Sequence, residues 1–235
     1  MKFKNHIVIT AVLFLFIVSC KKDPITISQD DSANYFPLQT NRYIIYSLDS
    51  IHYNDVTMTS DTTRFQIKEQ VGSSFSDSTG AVVFIIIRSK RMSDTTNWIE
   101  TDHWSATVTT KRAEKTEENL RFVKLIFPVG EGLSWNGNQY IDNANGLINY
   151  YDWEYMYSDV HESKLFNNLS FDSTVTVTEQ DNENLIEKDF EQEVYAKNVG
   201  LVYRMQEHVS KQNVNTPWLY PEKGTKIIMT VKEFN

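Results

Sequence analysis

The residues of this chain that could carry acid–base or metal chemistry are few and scattered. Glu100 and Asp102 lie two apart on a predicted strand, and two carboxylates on one face could serve a glycoside hydrolase. Asp102 and His103 are neighbours, and adjacent strand residues point to opposite faces. None of the histidines after the leader has a zinc-binding spacing such as H-E-x-x-H. These histidines are His52, His103, His161 and His208.

The motifs of common hydrolases and nucleotide-binding proteins are also missing from the sequence. There is no G-x-S-x-G nucleophile elbow and no glycine loop that could cradle phosphates. The sequence therefore predicts no catalytic residue, no metal site and no cofactor. A hydrolase with paired carboxylates remains the alternative.

Cys20 is the single cysteine, and its position points to a leader. Residues 1–6 are basic through Lys2 and Lys4, and residues 7–18 are apolar apart from Thr10. As a helix this apolar run spans about 18 Å, which is too short for the ~30 Å hydrocarbon core of a membrane. The pattern predicts a signal peptide over residues 1–19.

The four residues Ile17-Val18-Ser19-Cys20 resemble the lipobox of bacterial lipoproteins. The resemblance implies cleavage before Cys20 and acyl chains, such as palmitate, on its sulfur and amine. Each buried methylene contributes about 0.8 kcal/mol, so several chains make a lasting membrane anchor. An ordinary signal peptide with an incidental cysteine is the alternative reading. Residues 20–34 are predicted to be the lipidated cysteine followed by a flexible tether, since they are polar and lack an apolar period.

The composition predicts that the remaining residues, 35–235, form one globular domain. Aromatic residues make up 13% of the chain, with only 8 Gly and 5 Pro, which is typical of a packed core. The formal net charge is −8, and loss of the leader removes two lysines and no acid. Nucleic acids and anionic lipid surfaces reward basic patches, so neither is an expected partner.

Alternating apolar and polar residues predict strands nearly throughout the domain. We expect an all-β fold of about ten strands, either an antiparallel sandwich or a curved, partly closed β-barrel. Residues 82–87 are apolar on both faces and predict a central strand. Residues 113–119 are interpreted as a charged connection, and residues 161–168 as a helical turn or loop. Residues 185–196 fit a helix or a strand, and the turn that follows favours a strand.

One predicted strand, residues 147–158, carries a row of aromatic side chains on one face. This row could line an apolar cavity or form a stacking platform for a glycan, since aromatic rings offer large contact areas. Alternatively it belongs to the core, where aromatic pairs stabilise sheets. The row consists of Tyr151, Trp153, Tyr155 and Tyr157.

Three further segments resemble uncharacterised envelope lipoproteins of the Bacteroidota. They are Tyr35-Phe36-Pro37-Leu38, Gly132-Leu133-Ser134-Trp135-Asn136-Gly137-Asn138 and Tyr195-Ala196-Lys197-Asn198-Val199-Gly200-Leu201-Val202-Tyr203. In that group, an acidic run after the lipid-bearing cysteine is associated with export to the cell surface. Here Lys21-Lys22-Asp23 matches it only partly, so the cell surface and the periplasmic face both remain open.

The sequence as a whole predicts a lipoprotein of the outer membrane without enzymatic activity. Its β domain is expected to bind an apolar ligand, a glycan or a protein partner in the cell envelope. A purely structural role is a further alternative.

Overall fold

The computed structural model describes residues 31–142, 150 and 153–235. Apart from a short 3₁₀ helix, Ser32–Tyr35, the regular elements of these residues are strands. The strands are β1 Tyr43–Asn54, β2 Thr59–Ser76, β3 Val82–Arg91, β4 Ile99–Val108, β5 Arg112–Glu117, β6 Leu120–Ile126, β7 Ser134–Trp135, β8 Tyr155–Phe166, β9 Leu169–Glu183, β10 Glu187–Ala196, β11 Gly200–Ser210 and β12 Lys223–Phe234.

The strands form one antiparallel sheet that curls into a nearly closed barrel. Its order is β6-β5-β4-β3-β2-β1-β12-β11-β10-β9-β8-β7, so the first and last strands pair in the middle. Nearly all neighbours in the sheet are also consecutive in the chain, as short hairpin turns require. This confirms the predicted all-β class and selects the barrel over the sandwich. The sheet has twelve strands where about ten were expected.

Side chains and backbone bridge the two ends of the sheet. The N–H of Val123 donates to the carbonyl of Gly137 at 2.8 Å, and the Trp135 indole N–H donates to the Val123 carbonyl at 2.8 Å. The Tyr157 hydroxyl accepts from the Ile126 N–H and donates to the Ile126 carbonyl, each at 2.8 Å. A Cβ at Gly137 would lie 2.4 Å from the ring of buried Tyr155, so this closure requires glycine.

The residues before β1 pack across one end of the barrel. Tyr35 is fully buried, and its hydroxyl bonds to the Ser173 hydroxyl at 2.7 Å and to His161 at 2.8 Å. The Asn198 N–H donates to the Asn34 carbonyl, and Lys197 pairs with Asp31. Among the described residues, Asp31 and Asn34 of the predicted tether therefore already contact the domain. We call this end of the barrel the tether end.

Two predictions of irregular structure are wrong, and one ambiguous segment is confirmed. The charged segment 113–119 contains most of β5, and residues 161–166 continue β8. In β8 the backbone has positive φ at Asp159 and His161, and the register of its pairing with β9 shifts there. The pairing with β9 continues beyond this point. Residues 187–196 form β10, as predicted. No helix among the described residues is long and apolar enough to cross a membrane.

Candidate functional site

The interior of the barrel holds an unusual alternating chain of charged side chains, which we call the charged layer. In order of contact it consists of Asp102, Arg88, Glu69, Lys115, Glu117, Arg204, Glu193, Lys124 and Glu179. Each cation lies between two carboxylates. Charged side chains are almost never buried without such pairing, because the loss of hydration is costly.

Short ion pairs join the side chains in the middle of the charged layer. Lys115 Nζ is 2.9 Å from Glu69 Oε2 and 3.0 Å from Glu117 Oε1. Arg204 Nη1 is 3.1 Å from Glu117 Oε2. Burial alone would raise the pKa of the Glu117 carboxyl, but Lys115 and Arg204 outweigh it and hold the pKa well below its usual range. Glu117 is therefore an anion at neutral pH.

The most deeply buried part of the layer is the pair of carboxylates that share Lys124. Its ammonium is 2.9 Å from Glu179 and 3.0 Å from Glu193, and all three side chains are at most 2% exposed. Burial, and then the negative charge of Glu193, raises the pKa of Glu179 to about 8. Burial would also raise the pKa of Glu193, but the charges of Lys124 and Arg204, helped by a hydrogen bond from the Tyr195 hydroxyl, hold the pKa below its usual value. The charged layer begins and ends with a carboxylate and so has one more carboxylate than cations. A proton on Glu179 therefore makes the net charge of the layer zero.

A cavity at the tether end reaches the charged layer from one side. Its volume is about 80 Å³. The walls are mostly apolar and come from the segment before β1, from β1–β4 and from the β10–β11 turn, and they include Phe36, Leu38, Ile44, Val71, Ile86, Ala106 and Leu201. The base is polar, with Glu69, Lys115, Glu117 and Glu193. We call this the tether-side cavity.

A second cavity, the far cavity, lies on the other side of the layer. Along β1, Ile44 and Tyr46 line the tether-side cavity, whereas Leu48 and Ser50 line the far one. The far cavity has a volume of about 310 Å³ and an apolar floor that includes Leu48, Phe65, Ile67, Ile227 and Met229. Arg88, Lys90 and Arg204 bring positive charge to it, and Asp102 brings negative charge. Small-ligand sites favour apolar walls with a few convergent polar groups.

The structure separates the carboxylates Glu100 and Asp102. A register shift between Arg88 and Ser89 places Glu100 opposite Ser89, while Asp102 remains opposite Arg88. Glu100 Oε1 then lies 2.6 Å from His103 Nε2 on the exposed side, and Asp102 turns inward to pair with Arg88. The predicted common face is wrong, because the strand irregularity at residue 101 reverses the alternation.

His208 lies between two carboxylates. Its ring nitrogens lie 3.0 Å from Glu191 Oε1 and 3.0 Å from Asp189 Oδ1. The bond to Glu191, reinforced by Asp189, raises the pKa of His208 to about 9. His161, by contrast, supports the segment before β1 through Tyr35. Among residues 31–142, 150 and 153–235, no group of three or more histidines or carboxylates is arranged to hold a metal ion.

The described part of the aromatic row lies in the core. Trp153, Tyr155 and Tyr157 are buried, and Trp153 packs edge-on against Tyr150. The Tyr155 hydroxyl donates to the side-chain oxygen of Asn138, and the Tyr157 hydroxyl bonds to Ile126. These three residues therefore act as packing residues that also close the barrel. Tyr151 lies outside the described residues, as do Cys20 and the leader.

Sequence reasoning missed the charged layer, although each strand carries a signal of it. Glu69 stands between the inward-facing Ile67 and Val71, and Arg88 follows inward-facing Ile86 by two residues. A charged residue at an inward position of an otherwise apolar strand face indicates either a polar site inside the protein or a strand face that is exposed to solvent. Only the tertiary fold brings the partners from eight strands together.

No protein-family model and no curated protein matches this chain. Two solved structures have a related shape. One is a candidate lipoprotein from Parabacteroides distasonis ATCC 8503, with a TM-score of 0.44 and 11% identity, covering 86% of this chain and 98% of the other. The second is a candidate exported protein with a YmcC-like fold from Bacteroides fragilis NCTC 9343. Its TM-score is 0.43 and its identity 11%, with 84% of this chain and 98% of that chain covered.

Proposed function

We propose that this chain is a lipid-anchored protein of the bacterial outer membrane whose barrel binds a small apolar ligand in the tether-side cavity. The observation that carries the binding role is the cavity itself, an apolar pocket that ends on buried charges. The leader and Cys20 in the lipobox pattern support the anchor. A membrane-anchored binding protein without catalytic activity would account for both the cavity and the anchor.

The position of the cavity fits an anchored protein. The segment Phe36–Leu38 forms one wall and follows directly from the residues that lead back to Cys20. From Cys20 to Asp31 the chain spans at most ~40 Å when fully extended. A lipid on Cys20 therefore keeps the tether end of the barrel near the bilayer, where apolar ligands are concentrated.

The size and lining of the cavity define the class of ligand. A volume of about 80 Å³ accommodates the end of an alkyl or acyl chain rather than a bulky ring system. Phe36 packs against Tyr195, with 5.9 Å between the ring centroids, and both residues line the pocket. The buried groups Lys115 and Tyr195 at the base can bond to a polar atom of the ligand.

The anchor is tested by mass spectrometry of the mature N-terminus. We expect the wild-type protein to begin at Cys20 with acyl chains attached and to partition with the outer membrane. Cys20→Ala is expected to remove the acylated species and release the domain from that fraction, because no other cysteine can be modified. An unmodified wild-type N-terminus, or an outer-membrane fraction unchanged by Cys20→Ala, would contradict the anchor.

The binding role is tested by filling the cavity in the full-length protein. Ala106 is buried and lines the tether-side cavity, so Ala106→Phe places a ring in the ligand space. Wild-type protein purified from membranes in mild detergent is extracted with organic solvent, and its bound molecules are quantified by mass spectrometry. We expect one apolar compound at near-equal molar amount in the wild type and at least fivefold less in Ala106→Phe.

Thr107→Phe provides the matched control, since Thr107 is the next residue of β4 and faces outward. This variant is expected to retain the compound at the wild-type level. If Ala106→Phe does not fold, Val71→Leu adds a smaller group to another wall of the same cavity. Equal retention by the wild type and the folded cavity variants would disprove binding at this place.

A further inference from the structure

We propose that the far cavity is a separate binding site for a carboxylate with a short apolar body, such as a medium-chain fatty acid. The carboxylate would lie against Lys90 and the outer edge of Arg88, and the alkyl chain would lie on the apolar floor. This site is independent of the tether-side cavity, because the charged layer separates the two.

Lys90 is the cation of this site that the protein leaves uncompensated. Its ammonium lies 3.8 Å from the centroid of the Phe65 ring, and no carboxylate among the described residues lies within ion-pair distance. A lysine that faces a partly enclosed apolar cavity is an attractive partner for an anion, because its charge is poorly screened there.

Arg88 has spare hydrogen-bonding capacity beside Lys90. Its contacts with Glu69 and Asp102 are 3.7 and 3.6 Å long, beyond ordinary hydrogen-bond distance. The buried Nε atom of Arg88 has no hydrogen-bond partner, and the same is true of Arg204 Nε. The Arg88 guanidinium is therefore not fully bonded by its own carboxylates, and the outer edge of a guanidinium can hold a planar carboxylate through two parallel N–H bonds.

The lining of the far cavity determines which apolar part of a ligand can bind beside the carboxylate. Most of the lining from β1, β2 and β12 is aliphatic or aromatic, whereas Ser50, Thr101 and Gln206 provide polar atoms. Asp102 is the negative group in the lining, and it is already paired with Arg88. The volume of about 310 Å³ suits an alkyl chain of medium length.

Equilibrium dialysis with radiolabelled octanoate tests this site in the full-length protein reconstituted in nanodiscs, after subtraction of empty nanodiscs. We expect saturable binding of one octanoate per protein. Octanol has the same chain without the charge and is expected to compete at least tenfold more weakly. Octanol that competes as well as octanoate, or the absence of saturable binding, would overturn the proposal.

Two substitutions of Lys90 separate charge from shape. Lys90→Met keeps an unbranched side chain without the charge and is expected to weaken octanoate binding at least tenfold, whereas Lys90→Arg keeps most of it. Lys68→Met, on the outer face of β2 near Trp98, is the matched control and is expected to bind like the wild type. Unchanged affinity in folded Lys90→Met would place the ligand elsewhere. Tighter binding of octyl phosphate than of octanoate would contradict the carboxylate as the recognised group.

Discussion

Lys124→Met is expected to lower the free energy of unfolding by about 3–5 kcal/mol at pH 7. The substitution removes the ammonium that lies between Glu179 and Glu193 and leaves their oxygens in a site that water does not reach. A buried charge without its partner costs far more than a lost surface contact. Urea unfolding followed by tryptophan fluorescence measures the change.

Lys223→Met is the control for this prediction. Lys223 lies 3.7 Å from Asp55, and its side chain is 65% exposed, so its loss is expected to cost less than about 1 kcal/mol. The triple substitution Lys124→Met, Glu179→Gln and Glu193→Gln should recover part of the stability, because it removes the uncompensated charge. A cost below about 1 kcal/mol for Lys124→Met alone would show that the charged layer does not stabilise the barrel.

Glu179→Gln is expected to change how stability depends on pH. In the wild type, burial raises the pKa of Glu179 from 4.5 to about 8, so the folded state binds a proton more tightly than the unfolded state. This contribution is present below about pH 4.5 and is lost as the pH rises toward 8. Between pH 5 and pH 9 the wild type should therefore lose stability relative to Glu179→Gln, by on the order of 3 kcal/mol.

Glu193→Gln should show the opposite behaviour, although Glu193 shares Lys124 with Glu179. Lys124 and Arg204 outweigh burial and lower the pKa of Glu193, so its ionised form stabilises the fold above the unfolded pKa and that stability is lost in acid. We expect Glu193→Gln to destabilise the protein at pH 9 and to approach the wild type at low pH. Parallel pH profiles for the two variants, measured by urea unfolding, would contradict these protonation states.

The sequence was sufficient to predict the class of fold, because strand periodicity depends on local alternation. Residues 187–196 illustrate this, since the turn after them decided correctly in favour of a strand. Residues 113–119 show the limit. The charged residues Lys115 and Glu117 favour the interpretation of this segment as a connection, yet both are buried in a barrel whose interior is itself charged. Polarity indicates the solvent side of a strand only where the interior is apolar.

The candidate sites were harder to predict than the fold. The sequence leaves open whether the aromatic row binds a ligand or belongs to the core, and the described members Trp153, Tyr155 and Tyr157 are buried in the core. The cavities depend on contacts between distant strands, such as Arg204 of β11 with Glu117 of β5. Such contacts cannot be inferred from the positions of the residues in the sequence. The irregularity at residue 101, which separates Glu100 from Asp102, is a register shift in the pairing with β3, and the alternation of residues in the sequence does not predict it.

We propose above all that the barrel interior holds a ligand at the tether end. A crystal structure of the full-length protein, purified from its native membrane without denaturation, tests this most directly. We predict continuous density for an apolar chain in the tether-side cavity, between Phe36 and Ala106, ending beside Lys115 or Tyr195. A cavity closed by repacked side chains, or one that holds only water, would contradict the account.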